Sequence, residues 1–271
     1  MSVAERFAAA RAEGRAVLVG YFSAGFPSYR QAIEAIRVMV DAGVDVVEVG
    51  FPYSDPVMDG PVIQRANDQA LANGLRTADV LRTVEAVAET GVPTLLMTYW
   101  NPVEQYGVDA FARDLAAAGG AGLITPDLIP DEAQPWLVAS DAHQLDRVFL
   151  VAPSSSDQRL ASTAAACRGF IYATSVMGVT GAREHTSSLA PDLVARVRKV
   201  TDLPVGVGLG VRDGAQAAEV ASYADGVIVG SALIRCLLDA DDHLSGLRTL
   251  AALSSELADG VRHRRPASSH S

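Results

Sequence analysis

The feature that most constrains the fold is a short apolar segment that recurs eight times along the chain. Each copy is rich in β-branched residues and too uniformly apolar for a half-exposed strand, so each is predicted to be a buried parallel strand. Segments with helical spacing separate the copies. The eight predicted strands cover residues 16–22, 44–50, 93–99, 122–127, 147–153, 169–175, 203–210 and 225–230.

The alternation of these strands with helices predicts a single (β/α)8 TIM barrel. An open, doubly wound sheet is the alternative. It is disfavoured because the count reaches eight and because the best glycine-rich turn has Val211 where the last glycine of G-x-G-x-x-G should stand. The predicted helices between the strands cover residues 29–42, 79–90, 111–118, 192–200, 215–221 and 232–238.

Both ends of the chain carry additional segments. Residues 2–13 are predicted to form an amphipathic helix that covers the bottom of the barrel, and residues 243–259 a helix after the eighth unit. The catalytic domain is expected to span residues 1–260, and the basic, Pro- and Ser-bearing tail 261–271 to be disordered. The N-terminus has no apolar core typical of a signal peptide, and no apolar run is long enough to span a membrane, so a cytoplasmic protein is expected.

The charge balance excludes several classes of function. The 22 Lys and Arg residues against 32 Asp and Glu residues give a net charge of −10, which argues against nucleic acid or an anionic membrane as partner. Lys199 is the only lysine, and the five histidines show no metal-ligand spacing, so Schiff-base and histidine-rich metal catalysis are disfavoured. Cys167 and Cys236 cannot build a disulfide framework and are predicted to be core residues.

Candidate catalytic carboxyls lie in and after the second predicted strand. Active sites of TIM barrels lie at the C-terminal ends of the strands, and Glu48 interrupts the apolar run 44–50 there. Burial would raise its pKa, which suits a group that acts first as an acid and then as a base. A structural glutamate is the alternative. In the long loop that follows, Asp59 is predicted to be catalytic and Asp55 to brace the turn.

Three further loops indicate a ligand. Glycine-rich turns after the seventh and eighth strands, at 206–210 and 229–232, predict a phosphate site built from backbone N–H groups. The loop 175–186 suits a lid that excludes water, with an ordinary surface loop as the alternative. Aromatic residues gather at the strand ends and favour a flat, apolar substrate.

Five segments together resemble the tryptophan synthase alpha chain family, from about residue 5 to about residue 255. They are EVGFPYSDPVMDGPVIQ (48–64), MTYWNP (97–102), SVMGVTGAR (175–183), VGLGVRD (207–213) and VGSALI (229–234). The resemblance implies a lyase of tryptophan biosynthesis that splits indole-3-glycerol phosphate into indole and glyceraldehyde 3-phosphate by a retro-aldol reaction. It implies no cofactor or metal in this chain. It also implies an α2β2 tetramer with a beta chain that carries pyridoxal phosphate, docked on the rim loops 52–60 and 101–105.

The resemblance also implies roles for individual residues. Glu48 and Asp59 are the catalytic carboxyls, Tyr172 assists at the sugar end of the substrate, and Thr180 in the lid closes against Asp59. The implied indole pocket consists of Phe22, Tyr99, Leu150, Tyr172 and Leu209, and the implied phosphate site of Gly181, Gly210, Gly230 and Ser231. The chain departs from the usual family residues at Trp100, Met177 and Leu209.

This chemistry agrees with the composition. Because Lys199 falls on a predicted surface helix and no metal site is visible, the electrons released by C–C cleavage are expected to enter the indole ring once its C3 is protonated. Glu48 is predicted to supply that proton and Asp59 to hold the indole N–H. Two alternatives stay open: an isomerase or epimerase of a sugar phosphate, and a binding subunit whose main task is to regulate a partner enzyme.

Overall fold

The computed structural model describes residues 2–174, 183–208 and 210–263. Within them, eight parallel strands pair in chain order, and β1 pairs with β8 to close the barrel. The predicted (β/α)8 TIM barrel is therefore confirmed. The strands are β1 (Val17–Ser23), β2 (Val46–Gly50), β3 (Thr94–Met97), β4 (Gly122–Thr125), β5 (Asp146–Val151), β6 (Ile171–Thr174), β7 (Val205–Gly208) and β8 (Gly226–Val229).

Helices surround the barrel in the expected alternation. They are α1 (Val3–Ala12), α2 (Tyr29–Asp41), α3 (Pro61–Ala72), α4 (Thr77–Ala88), α5 (Trp100–Tyr106), α6 (Val108–Ala117), α7 (Gln134–Ala142), α8 (Asp157–Ala166), α9 (Arg183–Val197), α10 (Gly214–Ala221), α11 (Ser231–Leu238) and α12 (His243–Arg262). The sequence predicted neither α3, α5, α7 nor α8. The helix predicted at 192–200 begins at Arg183 instead, and Pro191, which precedes the predicted start, lies inside it.

The bottom of the barrel is closed by α1, as predicted. Val3, Phe7 and Ala10 are buried against the lower layer of side chains inside the barrel. The ring centroids of Phe7 and Phe170 lie 5.4 Å apart. The lower layer itself consists of apolar residues from six strands and the residue before β6, namely Val17, Val19, Val46, Leu95, Ile124, Val148, Phe170 and Ile228. This end of the lumen is therefore a packed apolar core.

The last helix, α12, lies against α2, α10 and α11. It continues to Arg262, three residues beyond the predicted end at 259, because Leu257, Ala258 and Val261 still face the core. Residues 261–263, predicted to belong to the disordered tail, form the end of α12 and its C-cap, and residues 264–271 lie outside the described part of the chain. None of the described helices is both long and apolar enough to cross a membrane.

Candidate functional site

Glu48 occupies the middle of β2 with its side chain inside the barrel. Its Cα pairs with Tyr21 on β1 and with Leu95 on β3, and it follows the interior residue Val46 by two positions. The residue is only 1% exposed, and its Oε2 atom has no hydrogen-bond partner among the residues that the structure describes. A glutamate with a purely structural role would have its oxygens paired, so this arrangement favours the catalytic interpretation.

The surroundings of Glu48 keep its carboxyl neutral. Burial, together with the negative charge of Asp59, raises its pKa to about 8. At neutral pH most of the side chain is therefore protonated. It can donate a proton to a bound molecule and recover one later in the same cycle.

Asp59 lies at the end of the loop between β2 and α3, immediately before the first turn of α3. Its Oδ2 accepts a hydrogen bond of 3.2 Å from Asn67 Nδ2, and its backbone oxygen accepts one of 2.7 Å from Gln64 Nε2. Burial raises the pKa of Asp59, while hydrogen bonds from Tyr99 and Asn67 oppose that shift. The two predicted carboxyls are thus close enough for the charge of Asp59 to act on Glu48.

The loop that carries Asp59 is fastened to the loop after β3. The Tyr99 hydroxyl accepts a hydrogen bond of 3.0 Å from the Met58 N–H, and the ring of Tyr53 lies 5.3 Å from that of Tyr99. Asp55 is exposed and accepts a hydrogen bond of 2.5 Å from its neighbour Ser54, which agrees with the turn-bracing role predicted for it. Tyr99 therefore serves both as a pocket wall and as a support for the loop.

A small pocket opens at the C-terminal ends of the first four strands. Aromatic and aliphatic side chains form most of its wall, and Asp59 contributes a carboxylate. Its lining residues are Tyr21, Phe51, Asp59, Met97, Thr98, Tyr99 and Pro126. Apolar walls with a single carboxylate are complementary to a flat, apolar group that carries one hydrogen-bond donor.

The prediction of Phe22 as a pocket residue is corrected by one position. Side chains alternate along β1, and Tyr21 is the residue paired with Glu48, so Phe22 faces the surrounding helices instead. Phe22 is fully buried, with its ring centroid 6.1 Å from that of Phe26. Tyr21 reaches across the barrel wall to Gly50, where a Cβ atom would lie 2.2 Å from the Tyr21 hydroxyl oxygen.

Leu150 and Tyr172 point into the upper part of the barrel, as the family resemblance implied. They follow the interior residues Val148 and Phe170 by two positions and pack on the same cluster. The Tyr172 hydroxyl lies beside Gly208, where a Cβ atom would approach it to 2.7 Å. Burial and, to a smaller extent, the charge of Glu48 raise the pKa of Tyr172 well above its ordinary value, so its hydroxyl stays protonated.

The candidate phosphate residues flank neighbouring strands. Gly230 is the N-cap of α11, and Ser231 is the first residue of that helix, whose first backbone N–H groups have no partner within the helix. Gly210 follows β7 with φ +73°, and no atom of the described residues lies within 4 Å of the place where its Cβ would project. Because β7 pairs with β8, these turns lie at the same rim. Thr180, Gly181 and Leu209 lie outside the described residues.

Two groups of residues near the site were missed by the sequence reasoning. Met97 and Pro126 line the pocket, as does Tyr21, which the sequence placed only among the aromatic residues at the strand ends. Counting alternate positions in register with Glu48 would have identified Tyr21 as a pocket residue. Asn67 and Gln64 hold Asp59 from α3. No signal pointed to them, because α3 itself was not predicted.

Other chemistries find little support near this pocket. Lys199 is exposed in the turn after α9, at the opposite end of the barrel from Glu48. Among the described residues, no group of three or more His, Cys, Asp and Glu side chains is placed to hold a metal ion. Cys167 and Cys236 are buried free thiols whose pKa values are raised by burial, as expected of core residues.

Comparisons with known proteins agree with this geometry. The model of the tryptophan synthase alpha chain family matches residues 7–262. The tryptophan synthase alpha chain of Salinispora arenicola is 73% identical over 94% of this chain and 96% of its own length. A structure of Mycobacterium tuberculosis tryptophan synthase is 59% identical, with a TM-score of 0.90 over 96% of this chain and 98% of that one. The alpha chain of Legionella pneumophila is 33% identical, with a TM-score of 0.86 over 96% and 97%. This chain therefore belongs to the tryptophan synthase alpha chain family.

Proposed function

We propose that this chain cleaves indole-3-glycerol phosphate into indole and glyceraldehyde 3-phosphate, the alpha reaction of tryptophan synthase. One observation carries the proposal: the barrel lumen buries the Glu48 carboxyl, with its Oε2 unpaired among the described residues, next to a pocket that displays Asp59. This pair fits a substrate whose indole ring must accept a proton at one position and present an N–H at another.

In the proposed mechanism, Glu48 gives its proton to C3 of the indole, and the ring becomes a cation. Asp59 accepts a hydrogen bond from the indole N–H and stabilises that positive charge. The C–C bond to the glycerol chain then breaks, and its electron pair restores the aromatic ring. The adjacent hydroxyl becomes the aldehyde and loses its proton to the Glu48 carboxylate. The enzyme returns to its starting protonation state without an external acid, base or oxidant.

The remaining site residues bind and orient the substrate. Tyr99, Leu150 and Tyr21 supply walls for the indole ring, and Tyr172 serves the sugar end. The phosphate binds to backbone N–H groups of Gly210, Gly230 and Ser231, where the N-terminus of α11 supplies positive potential despite the net charge of −10. By family resemblance, Gly181 completes the phosphate site, Leu209 the indole pocket, and Thr180 the lid.

The partner in this proposal is a tryptophan synthase beta chain that carries pyridoxal phosphate and consumes the indole. A cytoplasmic tetramer of two alpha and two beta chains is the proposed assembly. Its docking surface comprises the rim loops 52–60 and 101–105. Three exposed apolar side chains support a protein partner at this rim: Val57 (76% exposed), Met58 (43%) and Ile129 (41%).

The test is direct. Purified chain incubated with indole-3-glycerol phosphate is expected to release indole and glyceraldehyde 3-phosphate in equal amounts, faster when a beta chain from a relative is added. Asp59→Asn should reduce the rate by about 10²–10⁴-fold, the usual contribution of such a group. Asp68→Asn, which changes an exposed carboxylate on α3, is the matched control and should leave the rate unchanged. Absence of indole both with and without the beta chain would contradict the proposal.

A further inference from the structure

Helix α3 begins immediately after Asp59 and carries two side-chain amides that reach back to it. Gln64, on the first turn, donates to the Asp59 backbone oxygen at 2.7 Å, and Asn67 donates to the Asp59 carboxylate at 3.2 Å. The two amides are three residues apart and therefore lie on the same face of the helix. This helix is thus in direct contact with one of the two carboxyls of the site.

The helix is a rigid support. Gly60 and Pro61 begin it, with the proline at its first position, where a missing N–H costs nothing. Val62, Ala66 and Ala70 are buried on its inner face, and the helix packs on β1 and α11. A side chain fixed on this face therefore has a defined position relative to the barrel.

Asn67 makes a single side-chain hydrogen bond in this position, and that hydrogen bond selects one protonation state of Asp59. The residue is 1% exposed, its Nδ2 donates to Asp59, and its Oδ1 is buried without a partner. Turning the amide over would bring its oxygen against the carboxylate oxygen, two acceptors facing one another when Asp59 is ionised. The observed orientation therefore favours the charged form of Asp59.

We propose that Asn67 is a positioning residue: its amide orients the Asp59 carboxylate and keeps it negatively charged in the pocket until the indole N–H arrives. This inference rests on the proposed function. Burial raises the pKa of Asp59, and the Asn67 hydrogen bond is one of the two contacts that oppose the rise. Without it, Asp59 would be protonated over a wider range of pH and could not accept from the indole N–H.

The experiment compares Asn67→Leu with the wild-type chain through the pH profile of kcat/KM for indole-3-glycerol phosphate. Leucine keeps the branched shape of asparagine at Cγ but removes the donor. The acidic limb, which reports ionisation of Asp59 in the free enzyme, should move up by about one pH unit. The value of kcat/KM should therefore fall about tenfold at a pH below both midpoints, and little at a pH well above them. Asn67→Asp, which places a like charge beside Asp59, should move the limb at least as far.

Asn73→Leu is the matched control. Asn73 ends the same helix and donates to the Pro27 backbone oxygen at 2.8 Å, remote from the carboxyls. Its pH profile should superimpose on that of the wild type.

An acidic limb that stays in place in the Asn67 variants would overturn the inference, including the case of a uniform loss of activity at every pH, which indicates a structural role only. If Asn67→Leu does not fold, the isosteric Asn67→Asp decides by the same readout. A failure of the proposed function itself is recognised separately, because Asp59→Asn would then retain normal cleavage.

Discussion

Asp45 and Glu48 are two buried carboxyls three residues apart in the sequence, yet they lie in opposite environments. Asp45 precedes β2 at the bottom of the barrel, where its oxygens accept hydrogen bonds of 2.6 and 3.0 Å from Arg15 and one of 3.0 Å from the Leu18 N–H. Glu48 lies in the upper lumen, where Oε2 has no partner and the nearest charge that acts on it is the like charge of Asp59.

This difference assigns different roles to the two carboxyls: Asp45, just before β2, contributes to stability, whereas Glu48, within β2, contributes to the reaction. A paired carboxylate stays charged and fixes the chain around it, whereas an unpaired one in a dry site becomes protonated and available for transfer. The bottom of the barrel is sealed by α1 and filled with aliphatic side chains. The top opens to a pocket. The same alternation of side chains therefore builds a core at one end and an active site at the other.

The largest expected effect follows from exchanging each carboxyl for its amide. Glu48→Gln should lower kcat for indole-3-glycerol phosphate cleavage by about 10²–10⁴-fold, because the proton donor is lost. Asp45→Asn should leave kcat within about threefold of the wild type when assayed at a temperature where the variant is folded. Steady-state kinetics of both variants test the comparison, and comparable losses of kcat in the two would break it.

The free energy of unfolding should respond in the reverse order, with the larger decrease in Asp45→Asn. Asp45→Asn leaves Arg15 and Arg6 without the negative charge they approach, and the free energy of unfolding should fall by about 3 kcal/mol, as expected when one member of a buried ion pair is removed. Urea denaturation at pH 7 measures this. A decrease of less than about 1 kcal/mol would show that the bottom of the barrel does not depend on this network.

Glu48→Gln, by contrast, should raise the free energy of unfolding, and it should do so only at high pH. The folded-state pKa of about 8 lies above the ordinary value of 4.5, so the folded chain binds more protons than the unfolded chain between these values. The free energy of unfolding of the wild type therefore falls as pH rises from about 4.5 to about 8. The variant lacks this fall and should be more stable by roughly 4 kcal/mol at pH 8, with little difference at pH 4.5. Equal stabilities at both pH values would contradict the shift.

The smallest effects should distinguish the two neighbours on β1. Tyr21→Trp enlarges a pocket wall and should raise KM about tenfold, a difference of about 1.4 kcal/mol in binding. Phe22→Leu changes only the helix-facing core and should cost about 1 kcal/mol of stability without changing KM. Kinetics combined with thermal denaturation check both. A raised KM in Phe22→Leu alone would restore Phe22 as the pocket residue.

The strands were predictable because a buried parallel strand is apolar on both faces and leaves an unmistakable run of β-branched residues. Glu48 was predictable for the related reason that a carboxyl stands out in such a run. The face to which each strand residue points was less accessible, since an apolar run has no alternation to read. The exchange of Phe22 for Tyr21 shows this: only the register between β1 and β2 decides which ring lies in the lumen.

The missed helices have a different cause. In α3, two of the four buried residues are alanine and a third is Asn67, which with Gln64 is turned toward Asp59, so few large apolar side chains mark the segment as a helix. The positions that give the helix its role in the site are thus the positions that obscure it in the sequence. α5 is short, and α7 has a proline in its first turn.

The protonation state of Glu48 distinguishes the upper lumen from the bottom of the barrel and can be measured directly. An isotope-edited NMR titration of the glutamate side-chain carboxyl carbons, with the Glu48→Gln variant to assign the signal, follows this group alone. We predict a midpoint near pH 8 for the ligand-free chain. A midpoint near the ordinary value of 4.5 would mean that Glu48 is ionised at neutral pH, and it would contradict its role as the proton donor.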